Sequence, residues 1–208
     1  MGHGVATGVC MGTVRAGGPL HRRAALVFAL GTSVLACGGS YAAARGPDPD
    51  AASAVAVPRA LDVPYEPTPP SVVKAMLELA AVGPGDVVYD LGCGDGRIVI
   101  EAARRGARGV GVDLDPQRIR EARANARAAG VEERVTFVEG DLFEADVSRA
   151  TVVMLFLWPE VNLRLRPRLL GQLRPGSRIV SHLHDMGAWK PTRTVDLGGR
   201  RIHLWVIP

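Results

Sequence analysis

The stretch Val87-Val88-Tyr89-Asp90-Leu91-Gly92-Cys93-Gly94-Asp95-Gly96-Arg97 constrains this chain more than any other. Its first half is a short apolar run ending in a carboxylate, the pattern of a strand covered on both faces. Three glycines at alternate positions then remove side chains where a ligand must approach backbone, and they permit positive φ. A helix is expected to begin near Arg97, with Ile98, Val99, Ala102 and Ala103 turned to the sheet and its first amides pointing at the turn. Strand, glycine turn and helix in this order belong to an α/β sheet and set a nucleoside-bearing ligand over the turn.

Spacing decides which ligand. The dinucleotide fingerprint is G-x-G-x-x-G, which leaves room for a pyrophosphate on the helix N-terminus. Here the third glycine comes one residue early, giving Gly92, Gly94 and Gly96. Asp90 stands two residues before the first glycine, where it would repel a pyrophosphate but suits the ammonium of a methionine moiety. S-adenosylmethionine is therefore the expected cofactor, and a turn without a ligand is the bland alternative. That alternative suffers from the cost of burying an unpartnered carboxylate at a strand end.

The following elements agree. Gly109–Val112 is a second strand ending at Asp113, placed to accept both ribose hydroxyls. Asp115 reads as a helix N-cap with Pro116 at the first helical position. Ile119, Ala122, Ala126 and Ala129 form the apolar stripe of a helix that stops at Gly130. A third strand, Val135–Val138, leads to Asp141, which is placed either to accept from an adenine amino group or simply to hold a turn, with Leu142 or Phe143 against the ring. Upstream, Thr68 is a candidate N-cap for a helix with Val73, Met76, Leu77 and Ala80 inward.

A methyl acceptor would sit at the carboxyl ends of the central strands. Thr151–Leu157 is the fourth strand, followed by Trp158 and Glu160. Trp158 is a candidate wall of the acceptor channel or plain packing; Glu160 would orient an amine or merely favour a helix first turn. Pro167 is expected to start a second short helix. After the fifth strand, Ser177–Ser181, come His182, His184 and Asp185. They invite a metal reading, but no further His or Cys has ligand spacing, so no metal is expected. Asp185 is either close to the acceptor or a turn residue. Thr192–Leu197 and Arg201–Ile207 flank Gly198-Gly199 as a hairpin, and the helix that usually precedes it is expected to be missing. No cysteine follows Cys93, which removes a covalent pyrimidine mechanism, and no C-x-x-C supports zinc or a disulfide framework. Cys93 itself is expected to be small rather than nucleophilic.

On these motifs the chain resembles the class I S-adenosylmethionine-dependent methyltransferases, over about Leu61 to Pro208. The opening Val63-Pro64-Tyr65-Glu66-Pro67-Thr68-Pro69, the run at residues 90–100 and the closing Leu204-Trp205-Val206-Ile207-Pro208 resemble one branch. That branch contains the mitochondrial lysine methyltransferases of the ATP synthase c-subunit and the adenine nucleotide translocase, with bacterial relatives. The resemblance implies one Rossmann-like α/β domain: a mostly parallel seven-stranded sheet, antiparallel last strand, helices on both faces. It implies a protein lysine amine as acceptor, and Tyr65 and Thr68 closing over the methionine end of the cofactor. In animal members the second-strand acid is typically Glu; here it is Asp113. A small-molecule or RNA methyltransferase, or a non-enzymatic nucleoside-binding domain, is the alternative.

The first residues read differently. Arg15, His21, Arg22 and Arg23 precede the apolar run 24–36, too short for a comfortable membrane span and typical of a secretory signal. Val34-Leu35-Ala36-Cys37 resembles a lipoprotein cleavage box, and an alternative cut follows Ala44. Residues 1–44 are therefore expected to be a signal peptide or membrane anchor, 45–60 an Ala/Pro-rich linker and 61–208 the methyltransferase domain. The chain is expected to be exported or membrane-associated through its N-terminus, or cytoplasmic if the start site is wrong. The net charge of +4 over 208 residues falls to +1 once the three arginines before Cys37 are set aside. Arg118, Arg120, Arg123 and Arg127 then read as a solvated helix face rather than a phosphate track.

Overall fold

A computed structural model of the chain describes residues 65–208. The expected leader, the linker and the Val63-Pro64 part of the opening motif lie outside the described residues. The elements are α1 (Pro70–Leu79), β1 (Val87–Leu91), α2 (Arg97–Arg104), β2 (Arg108–Asp113), α3 (Pro116–Ala128), β3 (Val135–Glu139), β4 (Val152–Leu155), α4 (Pro159–Gln172), β5 (Arg178–His182), β6 (Arg193–Asp196) and β7 (Arg201–Val206).

The seven strands form one sheet in the order β3-β2-β1-β4-β5-β7-β6. Pairing is parallel from β3 through β5, and β7 runs antiparallel to both β5 and β6. Strand order reverses between β1 and β4, and open α/β sheets bind ligands in the crevice at that switch, beyond the carboxyl ends of the strands. Alternation along the strands divides the core. Val88, Val152, Met154 and Val180 pack with α1 and α2 residues on one face, where α3 also lies through Ile119, Ala122 and Ala126. Leu91, Val153, Leu155 and Ile179 meet α4 on the other.

Two expectations fail for local reasons. Thr68 does not cap α1: Pro69 holds the N-cap position in an extended conformation without a side-chain cap, and the helix starts at Pro70. Two successive prolines preset that entry, and Thr68 is buried instead. Pro167 does not start a new helix but lies inside α4. Val161, Leu165 and Leu169 recur every four residues on the buried side, which keeps both halves on the sheet. Leu163, whose carbonyl Pro167 leaves without its helical donor, is on the exposed side of the helix. Asp115 does cap α3, its Oδ1 accepting from the Gln117 N–H at 2.7 Å. Between β5 and β6 there is no helix. Residues 183–192 cover that part of the sheet with fully buried Met186 and with Trp189, whose carbonyl accepts from Trp205 Nε1 at 2.8 Å.

Candidate functional site

The glycine turn is built around Asp113. Gly92, Gly94 and Gly96 have φ of 83°, 52° and 79°, values that suit residues without Cβ. The turn starts with Gly92 and Cys93 N–H groups both donating to the Val112 carbonyl, at 2.8 and 3.0 Å. Asp113 then receives the Gly94 N–H on Oδ2 at 2.7 Å and the Asp115 N–H on Oδ1 at 2.9 Å. One carboxylate thus clamps the turn to the start of α3. Each of its oxygens retains a second lone pair, so the expected role toward ribose hydroxyls stays compatible with the clamp.

Asp90 is 3% exposed at the end of β1, and no donor among the described residues reaches it. Burial pushes its pKa well above the usual carboxylate range, and the negative charges of Asp113 and Asp95 push it further. Such a group either holds a proton or is met by a cation. Cys93 beside it is buried, and burial followed by the charges of Asp90 and Asp113 pushes its thiol far up. The thiolate is suppressed, which fits the expectation that Cys93 is there for its size: a Cβ on Gly111 would come within 2.8 Å of its sulfur.

The segment before α1 lies over this turn. The Tyr65 ring is so near Gly94 that a Cβ there would overlap its Cε2. Arg118 stacks on that ring as well, 4.5 Å from its centroid, and is itself held by Glu121 at 2.7 Å. Burial, then the charge of Asp95, raises the Tyr65 pKa. Arg97 ties the two parts together. Its guanidinium grips Asp95 with two bonds, at 2.9 and 2.6 Å, and Nη1 donates to the Thr68 carbonyl at 2.9 Å. Burial alone would raise the Asp95 pKa, but Arg97 outweighs it and holds the carboxylate low.

A cleft open to solvent lies between these parts. It brings together Tyr65, Thr68, Asp90, Gly92, Gly94, Asp113, Asp141 and Leu142, all expected from sequence. Gly96 stays beneath it as the αL residue before α2, where a Cβ would strike Phe137 at 2.7 Å. Asp141 closes a turn by accepting the Phe143 N–H at 2.9 Å, and Leu142 is half-buried beside it. Asp95, Arg97, Arg118 and Phe156 also line the cleft, beyond what the motifs announce. The Asp95-x-Arg97 spacing at a helix start is the available signal for the first two; the others depend on tertiary placement.

The three acceptor-side candidates stand apart from this lining. Trp158 is 54% exposed at the N-cap of α4, and Glu160 is exposed in the first turn of that helix. Asp185 is exposed after β5, its Oδ1 accepting the Gly187 N–H at 2.9 Å. Asn162, fully buried, joins the two segments through Nδ2, which donates to Ser181 Oγ at 3.3 Å and to the His184 and Asp185 carbonyls at 3.4 Å. Among the described residues no three His, Cys, Asp or Glu side chains converge on a point.

A family model described as the ANTKMT methyltransferase domain matches residues 90–193. A protein-lysine N-methyltransferase of Saccharolobus islandicus (strain REY15A) is 46% identical over 151 residues, covering 70% of this chain and 94% of that protein. An adenine nucleotide translocase lysine N-methyltransferase of Mus musculus is 35% identical over 147 residues, 70% of this chain; the match spans 64% of that enzyme, slightly under two thirds of its length. Among solved structures, an RNA methyltransferase from Salinibacter ruber in complex with S-adenosyl-L-homocysteine is 60% identical with a TM-score of 0.68, covering 69% of this chain and 94% of that one.

Proposed function

Because the chain belongs to the ANTKMT methyltransferase family, we propose that it transfers the methyl group of S-adenosylmethionine to a protein lysine amine. The observation that carries the donor is Asp90: a buried carboxylate, without a partner among the described residues, at the strand end beneath the glycine turn. The cleft's acids suit a ligand bearing a sulfonium and an ammonium, and oppose a pyrophosphate. Asp113 would hold the ribose, Leu142 and Asp141 the adenine end, and Tyr65 with Thr68 the methionine end. When bound, S-adenosylmethionine supplies an electrophilic methyl on sulfur and leaves as an uncharged thioether.

Handling the acceptor falls to the chain itself. The incoming lysine must lose its proton to solvent, be aimed at the methyl and be shielded from water. Trp158, Glu160 and Asp185, beyond the ends of β4 and β5, are proposed to guide it, with an aromatic face for the cationic amine and two carboxylates to orient it. Lysine as acceptor is supported by the Saccharolobus relative, which aligns over nearly its whole length.

RNA is the second reading, favoured by the name of the Salinibacter protein. Two of the four arginines of α3 are engaged within the protein rather than free for a phosphate track. Arg118 is committed to Tyr65, Asp115 and Glu121, and Arg123 donates to the Phe137 carbonyl at 3.0 Å. Two measurements separate these readings. Calorimetric titration with S-adenosylmethionine is expected to give binding that Asp113→Ala weakens by roughly tenfold or more, since a charge-assisted hydrogen bond is lost; absence of wild-type binding defeats the proposal. Labelled methyl transfer into a lysate, followed by protease or nuclease digestion, is expected to give protease-sensitive label. Label that survives protease and vanishes with nuclease transfers the assignment to RNA.

We further propose that residues 1–44 export or anchor the chain. This conflicts with use of a cytosolic methyl donor unless the segment keeps the domain facing inward. Cell fractionation with N-terminal sequencing decides it: membrane-bound protein, intact or beginning at Cys37, supports the reading, and an intact soluble chain in the cytosol removes it.

A further inference from the structure

Residues 65–68, ahead of α1, belong to no helix or strand, yet all of them line the cleft. A segment without a ladder is held by side chains, and two arginines from two different helices hold this one. Arg118 of α3 stacks on the Tyr65 ring and is itself steadied by Asp115 at 3.7 Å and Glu121 at 2.7 Å. Arg97, the first residue of α2, takes the other end. Its Nε and Nη2 donate to the Asp95 carboxylate at 2.9 and 2.6 Å, while Nη1 donates to the Thr68 carbonyl at 2.9 Å. Thr68 is 4% exposed and Tyr65 42%, so the Arg97 end is the one shielded from water. Pro67 and Pro69 flank Thr68 and fix φ on either side of it, which makes the strap a stiff piece that is either seated or lifted.

The helix does not call for an arginine here. Helix N-termini favour acids and disfavour cations, so a guanidinium at the first position of α2 is there for its contacts. Those contacts suit arginine alone. Its donors form a rigid planar fork, two of which meet a carboxylate side on while another reaches a second acceptor. A lysine ammonium is a point charge on a flexible stem; paired with Asp95, it would leave the Thr68 carbonyl without this donor. Asp95 lies within the glycine turn, between Gly94 and Gly96. One side chain therefore joins the strap to the residues beneath the ligand. The charges of Asp95 and Arg97 also reach the Tyr65 hydroxyl, so both ends of the strap meet the same ion pair.

We infer that Arg97 is a positioning residue for the methyl donor: it clasps the strap of residues 65–68 to the glycine turn over the bound cofactor, and so sets how long cofactor and product stay. This rests on the donor reading above. Arg97 acts through the strap and through Asp95, not on the reacting sulfur. With the clasp intact, the strap is ordered before the ligand arrives, and binding does not have to order it. With the clasp broken, the contacts that the strap makes with the ligand are made only part of the time. Such a loss acts on release more than on entry.

The test follows release of tritiated S-adenosylhomocysteine from the full chain, chased with an excess of the unlabelled compound. Arg97→Lys is expected to speed release by roughly tenfold, the effect of one lost charge-assisted bond, and to change the entry rate by less than about threefold. A second readout needs no ligand. In the chain labelled with ¹³C in the rings of its three tyrosines, the Tyr65 resonance, identified by its loss in Tyr65→Leu, is expected to move in Arg97→Lys. An arginine that merely steadies α2 would lower the urea midpoint and leave both the ring and the release rate as they are, and that result overturns the inference. Faster release with an unmoved ring would mean that Arg97 touches the ligand itself, and overturns it as well. Should Arg97→Lys fail to fold, Asp95→Asn removes the charge that the guanidinium grips and is expected to speed release likewise; wild-type release from it decides against the clasp. A wild-type chain that binds no S-adenosylhomocysteine defeats the donor reading and this inference with it, whereas binding with unaltered release in the variants defeats the inference alone.

Discussion

Asp90 sets folding against binding at a single residue. Its pKa is raised by burial, so the folded state holds the proton more tightly than the unfolded chain does. The stability it contributes is present below about pH 3.9 and is lost as pH rises through the folded value. Asp90→Asn is therefore expected to raise the Tm of the ligand-free protein by a few degrees near neutral pH, while weakening S-adenosylmethionine binding by roughly tenfold or more. Thermal unfolding and calorimetric titration check the two halves, and a variant that loses both stability and affinity contradicts the account. A neighbouring pair tests the strap over the turn. Gly94→Ala forces a methyl against the Tyr65 ring in the left-handed region and is expected to cost about 2 kcal/mol. Tyr65→Ala in the same chain should restore part of that in a double-mutant cycle of Tm values; strictly additive losses would show that the ring does not press on the glycine. The two acids and three glycines are legible in the sequence because their spacing is local. That Asp113 also clamps Gly94 and Asp115, and that Tyr65 lies on Gly94, emerges only once a distant segment or a closed turn brings the partners together.

At the opposite edge of the sheet, four elements are joined by a polar clamp that lies away from the cleft. Asp86, just before β1, accepts from Thr151 Oγ1 at 2.6 Å and from the Gly83 N–H at 3.0 Å, and it pairs with Arg178 on β5. Arg178 also donates to the carbonyl of Ala80, just after α1, at 2.6 Å. Burial works to raise the Asp86 pKa, but the bonds from Thr151, Gly83 and Arg178 prevail and lower it. Its contribution is present above the ordinary carboxylate pKa and lost as pH falls through the folded value. Asp86→Ala strands Arg178 and is expected to lower stability by about 2–3 kcal/mol without changing S-adenosylmethionine affinity. Urea titration and calorimetry together detect this; a matching loss of affinity would mean the two edges are coupled. At this scale the elements are legible where period and caps decide, as in β1 and α3. Single-residue signals mislead at Thr68 and Pro167, where proline geometry and a buried stripe outweigh them. The clamp is invisible in sequence, since Asp86, Thr151 and Arg178 are far apart along the chain and none forms a motif.

For the whole molecule, binding groups at the carboxyl edge and the clamp at the amino edge make stability and function separable, and pH separates them further. Asp86 and Asp95, both lowered, act only at acid pH, below the ordinary carboxylate range. His182 acts above them. Burial, then the charges of Arg200 and His184, hold its folded pKa at about 4, below the ordinary 6.5, so between these values the unfolded chain binds the extra proton. Stability is then fully present above pH 6.5 and falls as pH drops toward 4, by up to about 3 kcal/mol at about 1.36 kcal/mol per unit. Asp90 has the opposite slope and offsets part of the loss, which makes the wild-type curve alone uninformative. The difference between wild type and His182→Phe removes the carboxylates, because both proteins share them. Urea midpoints measured without ligand from about pH 7 down to about pH 4 are expected to diverge steadily, with the phenylalanine variant the more stable at the acid end. Parallel curves would mean that the imidazole titrates as freely in the folded protein as in the unfolded one.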